Sequence, residues 1–124
     1  MKDNRPVNLD LSTMHFPITA IVSILHRISG VLMFLLIPFL LCLLSCSLSG
    51  QTGFDKTLAM LSSPLAKCVL FFFLAPFIYH SVAGVKHLLA DWGVAEEKCS
   101  AKMASRLTLL VAVILIVLMG IWIW

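Results

Sequence analysis

Three long stretches of this 124-residue chain contain no acidic residue, lysine or arginine, and they restrict its fold more than any other feature. They cover residues 28–50, 68–85 and 107–124. A transmembrane helix needs about 20 apolar residues, with a range of about 17–25. An unpaired backbone amide is costly in lipid, so each stretch must close its own hydrogen bonds as a helix. The sequence therefore predicts an all-α membrane protein with three transmembrane helices.

The overall composition excludes two broad classes of protein. Apolar residues make up 60% of the chain and charged residues 12%, against about 45–50% and about 25% in a typical soluble domain. A soluble enzyme of this length would have too few charges to cover its surface, and a disordered chain would be much less apolar. The net charge of +3 is modest, and the basic residues are not clustered with aromatics as in a nucleic-acid surface. We expect membrane lipid as a partner and no nucleic acid.

The four cysteines do not form a pattern typical of disulfides or of a zinc site. Cys42, Cys46 and Cys68 lie inside apolar runs, and only Cys99 is surrounded by charges. A cysteine in an apolar run usually acts as a small hydrophobic residue, and the chain has no Cys-x-x-Cys pair. We therefore expect neither a disulfide framework nor a zinc site.

The charges outside the apolar stretches predict how the chain crosses the membrane. We predict a single transmembrane domain over residues 1–124, with spans at about 22–49, 64–91 and 104–124. The loop at 51–67 carries only two basic residues, and the other side of the membrane carries seven. Cytoplasmic loops are enriched in Lys and Arg, so the N-terminus is predicted inside and the C-terminus outside. The seven are Lys2, Arg5, Arg27, Lys86, Lys98, Lys102 and Arg106.

Glycine, serine and proline mark the expected turns and bends. The Ser-Gly-Gln-Thr-Gly segment at 49–53 predicts a flexible turn after the first span. Ser63 followed by Pro64 is typical of a helix start, with proline at the first helical position. Pro38 and Pro76 lie inside spans, where each removes a backbone donor and is expected to bend its helix.

The first polar cluster lies at the start of the first span, in residues 23–30. On a helix, Ser23, Arg27 and Gly30 share one face, and His26 lies on a neighbouring face. Gly30 has no side chain, so another backbone or a flat ligand could approach it closely. A plainer alternative is that Arg27 extends to the membrane surface and His26 lies at headgroup depth.

The second polar cluster places His80, Gly84, His87 and Asp91 along one stripe of a helix. His80 precedes Lys86 by six residues, which puts it roughly 9 Å deeper in the membrane. An imidazole at that depth needs a hydrogen-bond partner or a metal, and neutral imidazole is a common axial ligand of haem iron. The alternative is a hydrogen-bonded histidine that only fills space.

The surroundings of this second cluster also suit a haem. Gly84, one turn from His80, would leave room for a macrocycle. Lys86, His87 and Arg27 lie nearer the inner surface, where cationic donors could hold propionates.

These motifs resemble those of the cytochrome b membrane-anchor subunits of succinate dehydrogenase, respiratory complex II. Residues 23–30 are similar to the family's first signature, Ser-Ile-x-His-Arg-x-Ser/Thr-Gly. Residues 80–91 are similar to its second, His-x-x-x-Gly-x-Arg-His-x-x-x-Asp, with Lys86 in place of the usual Arg. Residues 5–9 are similar to the family's Arg-Pro-hydrophobic start. Lysine keeps the charge and loses the planar fork of arginine, so no strict role is assigned to Lys86.

The resemblance implies a role for each motif residue. His80 is implied to be one axial ligand of a haem b, with the other histidine supplied by a second small membrane-anchor subunit. Ser23 and Arg27 are implied to line a ubiquinone pocket near the iron–sulfur subunit. His26, Arg27 and His87 are implied to contact the haem propionates or to line the haem pocket.

The function implied is a haem b- and quinone-binding anchor of succinate:ubiquinone oxidoreductase, which passes electrons from the iron–sulfur subunit to quinone. Succinate oxidation itself would belong to the flavoprotein subunit, because this chain has no dinucleotide-binding glycine motif and no iron–sulfur cysteine pattern. Asp3, Asp10 and the scarcity of arginine are unlike a transit peptide, which favours a bacterial cell inner membrane over a mitochondrial one.

Two other functions remain open at this stage. One is a small proton-coupled transporter or ion-conducting membrane subunit, with His80 as a proton relay. It is disfavoured because such proteins usually place a carboxylate or a chain of titratable groups at mid-depth, and no carboxylate lies inside a predicted span. The other is a structural anchor that has lost its cofactor, which is disfavoured because the chain retains every histidine that haem binding would need.

Overall fold

The chain was characterised as a computed structural model, which describes residues 13–95 and 97–124. The described residues form four α-helices and no β-strand. The Arg-Pro segment at 5–9 lies outside the described residues. The helices are α1 (Ile18–Ser47), α2 (Gln51–Leu61), α3 (Pro64–Asp91) and α4 (Lys98–Ile123).

Three of these helices are long and apolar enough to cross a membrane, namely α1, α3 and α4, with 30, 28 and 26 residues. The predicted all-α membrane class with three spanning helices is therefore confirmed. The edges of the predicted spans and the direction of insertion remain predictions. A helix ends where its backbone hydrogen bonds end, and that position is independent of where the lipid ends.

The helices α1 and α3 run antiparallel. Tyr79 of α3 contacts Val22 near the start of α1, and Phe73 stacks on Phe39 further along α1, with 5.3 Å between ring centroids. Later residues of α1 thus meet earlier residues of α3. The start of α1 and the end of α3, which carry the two polar motifs, lie at the same end of the bundle.

The fourth helix packs against α3 through small residues. A Cβ atom added at Gly120 would lie 3.1 Å from the ring of Phe71, so glycine at this position lets the two helices approach closely. Ser105, Thr108 and Ala112 of α4 are buried. Small residues are typical of helix contacts in membranes, where close backbone approach supplies the packing energy.

The segment expected to be a flexible turn at 49–53 is mostly helical. The turn is confined to residues just before α2, where Gly50 has a φ of 110°. Gly53 is buried inside α2, and a Cβ there would collide with Ser49 and with the backbone oxygen of Cys46. Its missing side chain therefore lets α2 fold back against the end of α1, a packing role that a turn interpretation did not anticipate.

The ends of α3 are set by local sequence. The predicted start is confirmed, because Ser63 caps the helix by accepting a hydrogen bond from the amide of Ala66, and Pro64 is the first helical residue. At the other end, Gly93 has a φ of 83° and forms a glycine-terminated cap. The helical backbone continues through both internal prolines, Pro38 in α1 and Pro76 in α3.

The chain by itself buries few side chains. Among the described residues, the buried apolar ones are Val22, Ala83, Ala112 and Ile123. Large apolar side chains cover the outside of the bundle, such as Leu65, which is 76% exposed. Exposed apolar surface on this scale needs lipid or other protein subunits to cover it.

Candidate functional site

The two polar motifs meet in a cluster of three histidine rings, which we call the histidine cluster: His26 of α1 and His80 and His87 of α3. The rings of His26 and His80 are stacked, with 4.0 Å between centroids and 19° between planes. The ring of His87 lies 5.1 Å from that of His26 and is tilted by 41°. Antiparallel packing of α1 against α3 thus joins residues more than fifty positions apart.

Two glycines make room for these rings. A Cβ atom at Gly30 would lie 3.0 Å from Cε1 of His80, so His80 occupies the space that Gly30 leaves. A Cβ atom at Gly84 would lie 3.5 Å from Nε2 of His26. The His26 ring thus lies beside Gly84, and the expectation that this glycine leaves room for a macrocycle remains a prediction.

The hydrogen bonds of His80 indicate which ring nitrogen carries the proton. Its Nδ1 lies 3.1 Å from the backbone oxygen of His26 and 3.0 Å from Oγ of Ser29. A carbonyl oxygen can only accept, so Nδ1 must be the donor in the first of these contacts. In the neutral ring, Nε2 then keeps its lone pair and can bind a metal.

The Nε2 atom of His80 has no hydrogen-bond partner in the part of the chain that the structure describes, and it is not among the fully buried unpartnered atoms. It therefore remains accessible from outside the chain. Within residues 13–95 and 97–124 no group of three or more His, Cys, Asp or Glu side chains could hold a metal ion on its own. Haem iron differs, because a single histidine from this chain is sufficient as an axial ligand.

The other two histidines of the cluster each have an unsatisfied nitrogen. Nε2 of His26 and Nε2 of His87 are buried and lack a hydrogen-bond partner in the described chain. A buried polar atom without a partner is destabilising by about 1–3 kcal/mol, so most such atoms in folded proteins are paired. Both nitrogens therefore favour a ligand with polar groups at this site.

Ser23 and Arg27 lie beside the histidine cluster on α1, four residues apart on one face. Ser23 is half-buried and Arg27 is exposed. Neither side chain makes a hydrogen bond or ion pair with any residue that the structure describes.

Lys86 also lies against the fourth helix. Its side chain lines a groove of about 410 Å³ between α3 and α4, together with Val82 and Thr108. The expectation that Lys86 joins His87 and Arg27 as a donor for propionates remains a prediction. Asp91, the last residue of α3, is exposed.

Two residues of the site were not assigned a role from the sequence, namely Ser29 and Tyr79. Ser29 is 4% exposed and contacts His80. The hydroxyl of Tyr79 donates a hydrogen bond of 2.9 Å to the backbone oxygen of Val22. Both are polar residues within apolar spans and next to motif histidines, and this signal could have identified them.

Comparison with known proteins identifies the family. A family model described as the succinate dehydrogenase/fumarate reductase transmembrane subunit matches residues 1–119. The chain is 37% identical, over the full length of both chains, to the succinate dehydrogenase cytochrome b556 subunit of Coxiella burnetii.

Two proteins named succinate dehydrogenase cytochrome b560 subunit are also similar. That of Reclinomonas americana is 35% identical over 78% of this chain and 71% of its own length. That of Porphyra purpurea is 33% identical over 93% of each chain. The family match extends over nearly the whole chain and agrees with the three spanning helices. This multi-pass membrane chain belongs to the family of succinate dehydrogenase/fumarate reductase transmembrane subunits.

Proposed function

We propose that this chain is a haem b- and quinone-binding anchor of succinate:ubiquinone oxidoreductase in a bacterial cell inner membrane. The observation that carries the proposal is the state of His80, whose Nδ1 is hydrogen-bonded and whose Nε2 is accessible and unpartnered in the described chain. The cytochrome b556 and b560 names of the similar proteins support haem b as the cofactor.

The residues around His80 fit a haem group. Its Nε2 is suited to bind iron, because a hydrogen bond from Nδ1 to a carbonyl fixes the tautomer and increases the basicity of the ligand. The buried Nε2 atoms of His26 and His87 can donate to propionates. When bound, haem b supplies a one-electron carrier beside the quinone path.

A second membrane-anchor subunit is proposed to contribute the other axial ligand. The accessible face of His80 and the apolar exterior of the bundle support a partner within the membrane. An iron–sulfur subunit and a flavoprotein subunit are proposed to complete the complex and to deliver electrons from succinate.

Ser23 and Arg27 are proposed to bind ubiquinone. The quinone ring would take up two electrons from the iron–sulfur subunit and two protons from the inner side of the membrane and become a quinol. The Ser23 hydroxyl can donate a hydrogen bond to one carbonyl oxygen and thereby orient the ring. The Arg27 cation can stabilise the negative charge that develops on the oxygen as electrons arrive.

A proton-coupled transporter gains no support from the structure. Helices α1 and α4 contain no acidic residue, and the acidic residue of α3, Asp91, lies at its last position. A relay through His80 would also need a second titratable group deeper in the bundle.

Purification of the chain with its native partners tests the proposal. We expect a red complex that contains flavin and iron–sulfur polypeptides and that shows haem b in a pyridine haemochrome spectrum. A colourless homo-oligomer would contradict the proposal and favour a transporter. A complete complex without haem would instead support a structural anchor that has lost its cofactor.

Alanine substitutions at Gly30 and Gly84 test which of the two close contacts in the histidine cluster is needed for haem binding. In Gly30→Ala the new Cβ lies 3.0 Å from the His80 ring, so the ring must shift and the ratio of haem to flavin should fall severalfold. In Gly84→Ala the nearest atom lies at an ordinary 3.5 Å, and haem content should be retained.

Both glycine substitutions favour the helix by about 1 kcal/mol, so a weakened helix cannot explain a loss of haem. Haem and flavin are measured in the purified complex. Equal haem content in the two variants would contradict the role of Gly30 in placing His80.

A further inference from the structure

Three hydrogen bonds form a closed triangle around one edge of the His80 ring. Oγ of Ser29 lies 2.8 Å from the backbone oxygen of His26 and donates its proton to it. Nδ1 of His80 lies 3.1 Å from the same oxygen and 3.0 Å from Oγ of Ser29.

The number of available protons determines the direction of each bond in the triangle. The serine hydroxyl has one proton, and the His26 oxygen receives it. Oγ of Ser29 can therefore only accept from His80, which places the proton of the imidazole on Nδ1. The N–H group of His80 is then shared between two acceptors that lie on the same turn of α1.

The two acceptors also restrict rotation of the His80 ring about its Cβ–Cγ bond. A half-turn of the ring about its Cβ–Cγ bond would bring the Cδ2 carbon to the place of Nδ1. The oxygens of Ser29 and His26 would then lose their shared donor. Because Ser29 is only 4% exposed, water has little access to replace that donor.

A separate contact fixes the position of the helix that carries His80. The Tyr79 hydroxyl donates to the backbone oxygen of Val22, a residue that is completely buried. This bond joins the backbone of α1 to the residue next to His80. It leaves the orientation of the His80 ring to Ser29 and to the His26 carbonyl.

We infer that Ser29 is a positioning residue for the haem ligand: its hydroxyl shares the Nδ1 proton of His80 with the His26 carbonyl and holds the ring in an orientation that leaves Nε2 free to bind iron. The inference rests on the proposed function for the identity of the ligand. Residues that orient a metal-bound histidine through its other nitrogen also tune the electronic properties of the metal.

Ser105 of α4 provides a matched control. It is also buried, at 0% exposure, and its hydroxyl donates a 2.9 Å hydrogen bond to the backbone oxygen of Ala101 in its own helix. It makes no hydrogen bond to a histidine in the described chain. Ser105→Ala therefore removes a buried serine hydroxyl without touching the His80 triangle.

The test compares Ser29→Ala, Ser29→Thr and Ser105→Ala in the assembled complex. We expect Ser29→Ala to shift the haem midpoint potential and the low-spin ferric signal in electron paramagnetic resonance, or to lose haem. Ser29→Thr keeps the hydroxyl and should restore both properties. Ser105→Ala should match the wild type.

Two results would overturn the inference. The first is a Ser29→Ala complex with wild-type haem content, potential and signal. The second is equal loss of haem from Ser29→Ala and Ser29→Thr, which would indicate packing at this position in place of a hydroxyl function.

A measurement on the ring itself distinguishes this inference from the proposed function. Nitrogen-15 magnetic resonance of labelled histidine in the chain prepared without haem should show His80 protonated on Nδ1 in the wild type. In Ser29→Ala the Nδ1 signal should shift, because only the His26 carbonyl remains as an acceptor. Protonation on Nε2 in the wild-type chain would contradict the inference even if the assembled complex contains haem. Unchanged haem in a His80→Ala complex would contradict the ligand assignment and leave the tautomer result valid.

Discussion

Replacing His80 with alanine is expected to remove haem b from the assembled complex. The substitution deletes the one ring of the histidine cluster whose Nε2 is accessible and whose Nδ1 is held by a carbonyl. Without that imidazole the chain would lose the residue proposed to hold the haem iron. The reduced b-type spectrum of isolated membranes measures the effect, and we expect it to disappear.

A second histidine serves as the control for this experiment. His15 precedes α1 and is exposed, so His15→Ala should retain the full spectrum. Succinate oxidation with an artificial dye, measured on the same membranes, reports whether the complex has assembled. Unchanged haem content in His80→Ala would contradict the ligand assignment.

Replacing Arg27 with leucine is expected to impair quinone reduction while dye-linked succinate oxidation continues. A hydrogen bond to a charged group contributes about 1.5–3 kcal/mol, so the rate with quinone should fall on the order of tenfold to a hundredfold. Ser23→Ala removes a neutral hydrogen bond of about 1 kcal/mol and should cost roughly fivefold.

Two further arginine variants test whether the effect is specific to the guanidinium group at position 27. Arg27→Lys retains the charge and loses the planar fork, so its rate should lie between those of the wild type and Arg27→Leu. Arg106→Leu, at an exposed position of α4, should leave quinone reduction unchanged. Equal loss of the quinone and dye activities in Arg27→Leu would indicate failed assembly and contradict a role confined to quinone.

The class of fold could be predicted from local sequence. Hydrophobic length is a property of a continuous segment, so residues 28–50, 68–85 and 107–124 were sufficient to predict three spanning helices. The start of α3 was predictable for the same reason, because Ser63 and Pro64 act on adjacent backbone groups. The helix α2 was missed, because Gly53 was interpreted as a turn residue although it serves a contact with α1.

The site was predicted only in part. The spacing of His80, Gly84 and His87 correctly indicated a polar stripe on α3, because helical periodicity is local. It could not indicate that the His26 ring lies beside Gly84, because that contact depends on how far α1 is shifted along its axis relative to α3. The position of Lys86 in a groove between α3 and α4 likewise depends on how α4 packs against α3.

Local sequence was enough to establish that this chain crosses a membrane as helices and that the polar groups within its spans are concentrated in two motifs. Which of those groups meet depends on how the helices pack: Ser29 and the His26 carbonyl contact Nδ1 of His80, and the His26 ring contacts Gly84. Helix formation depends on bonds within one segment, whereas the orientation of an imidazole depends on acceptors that another helix supplies.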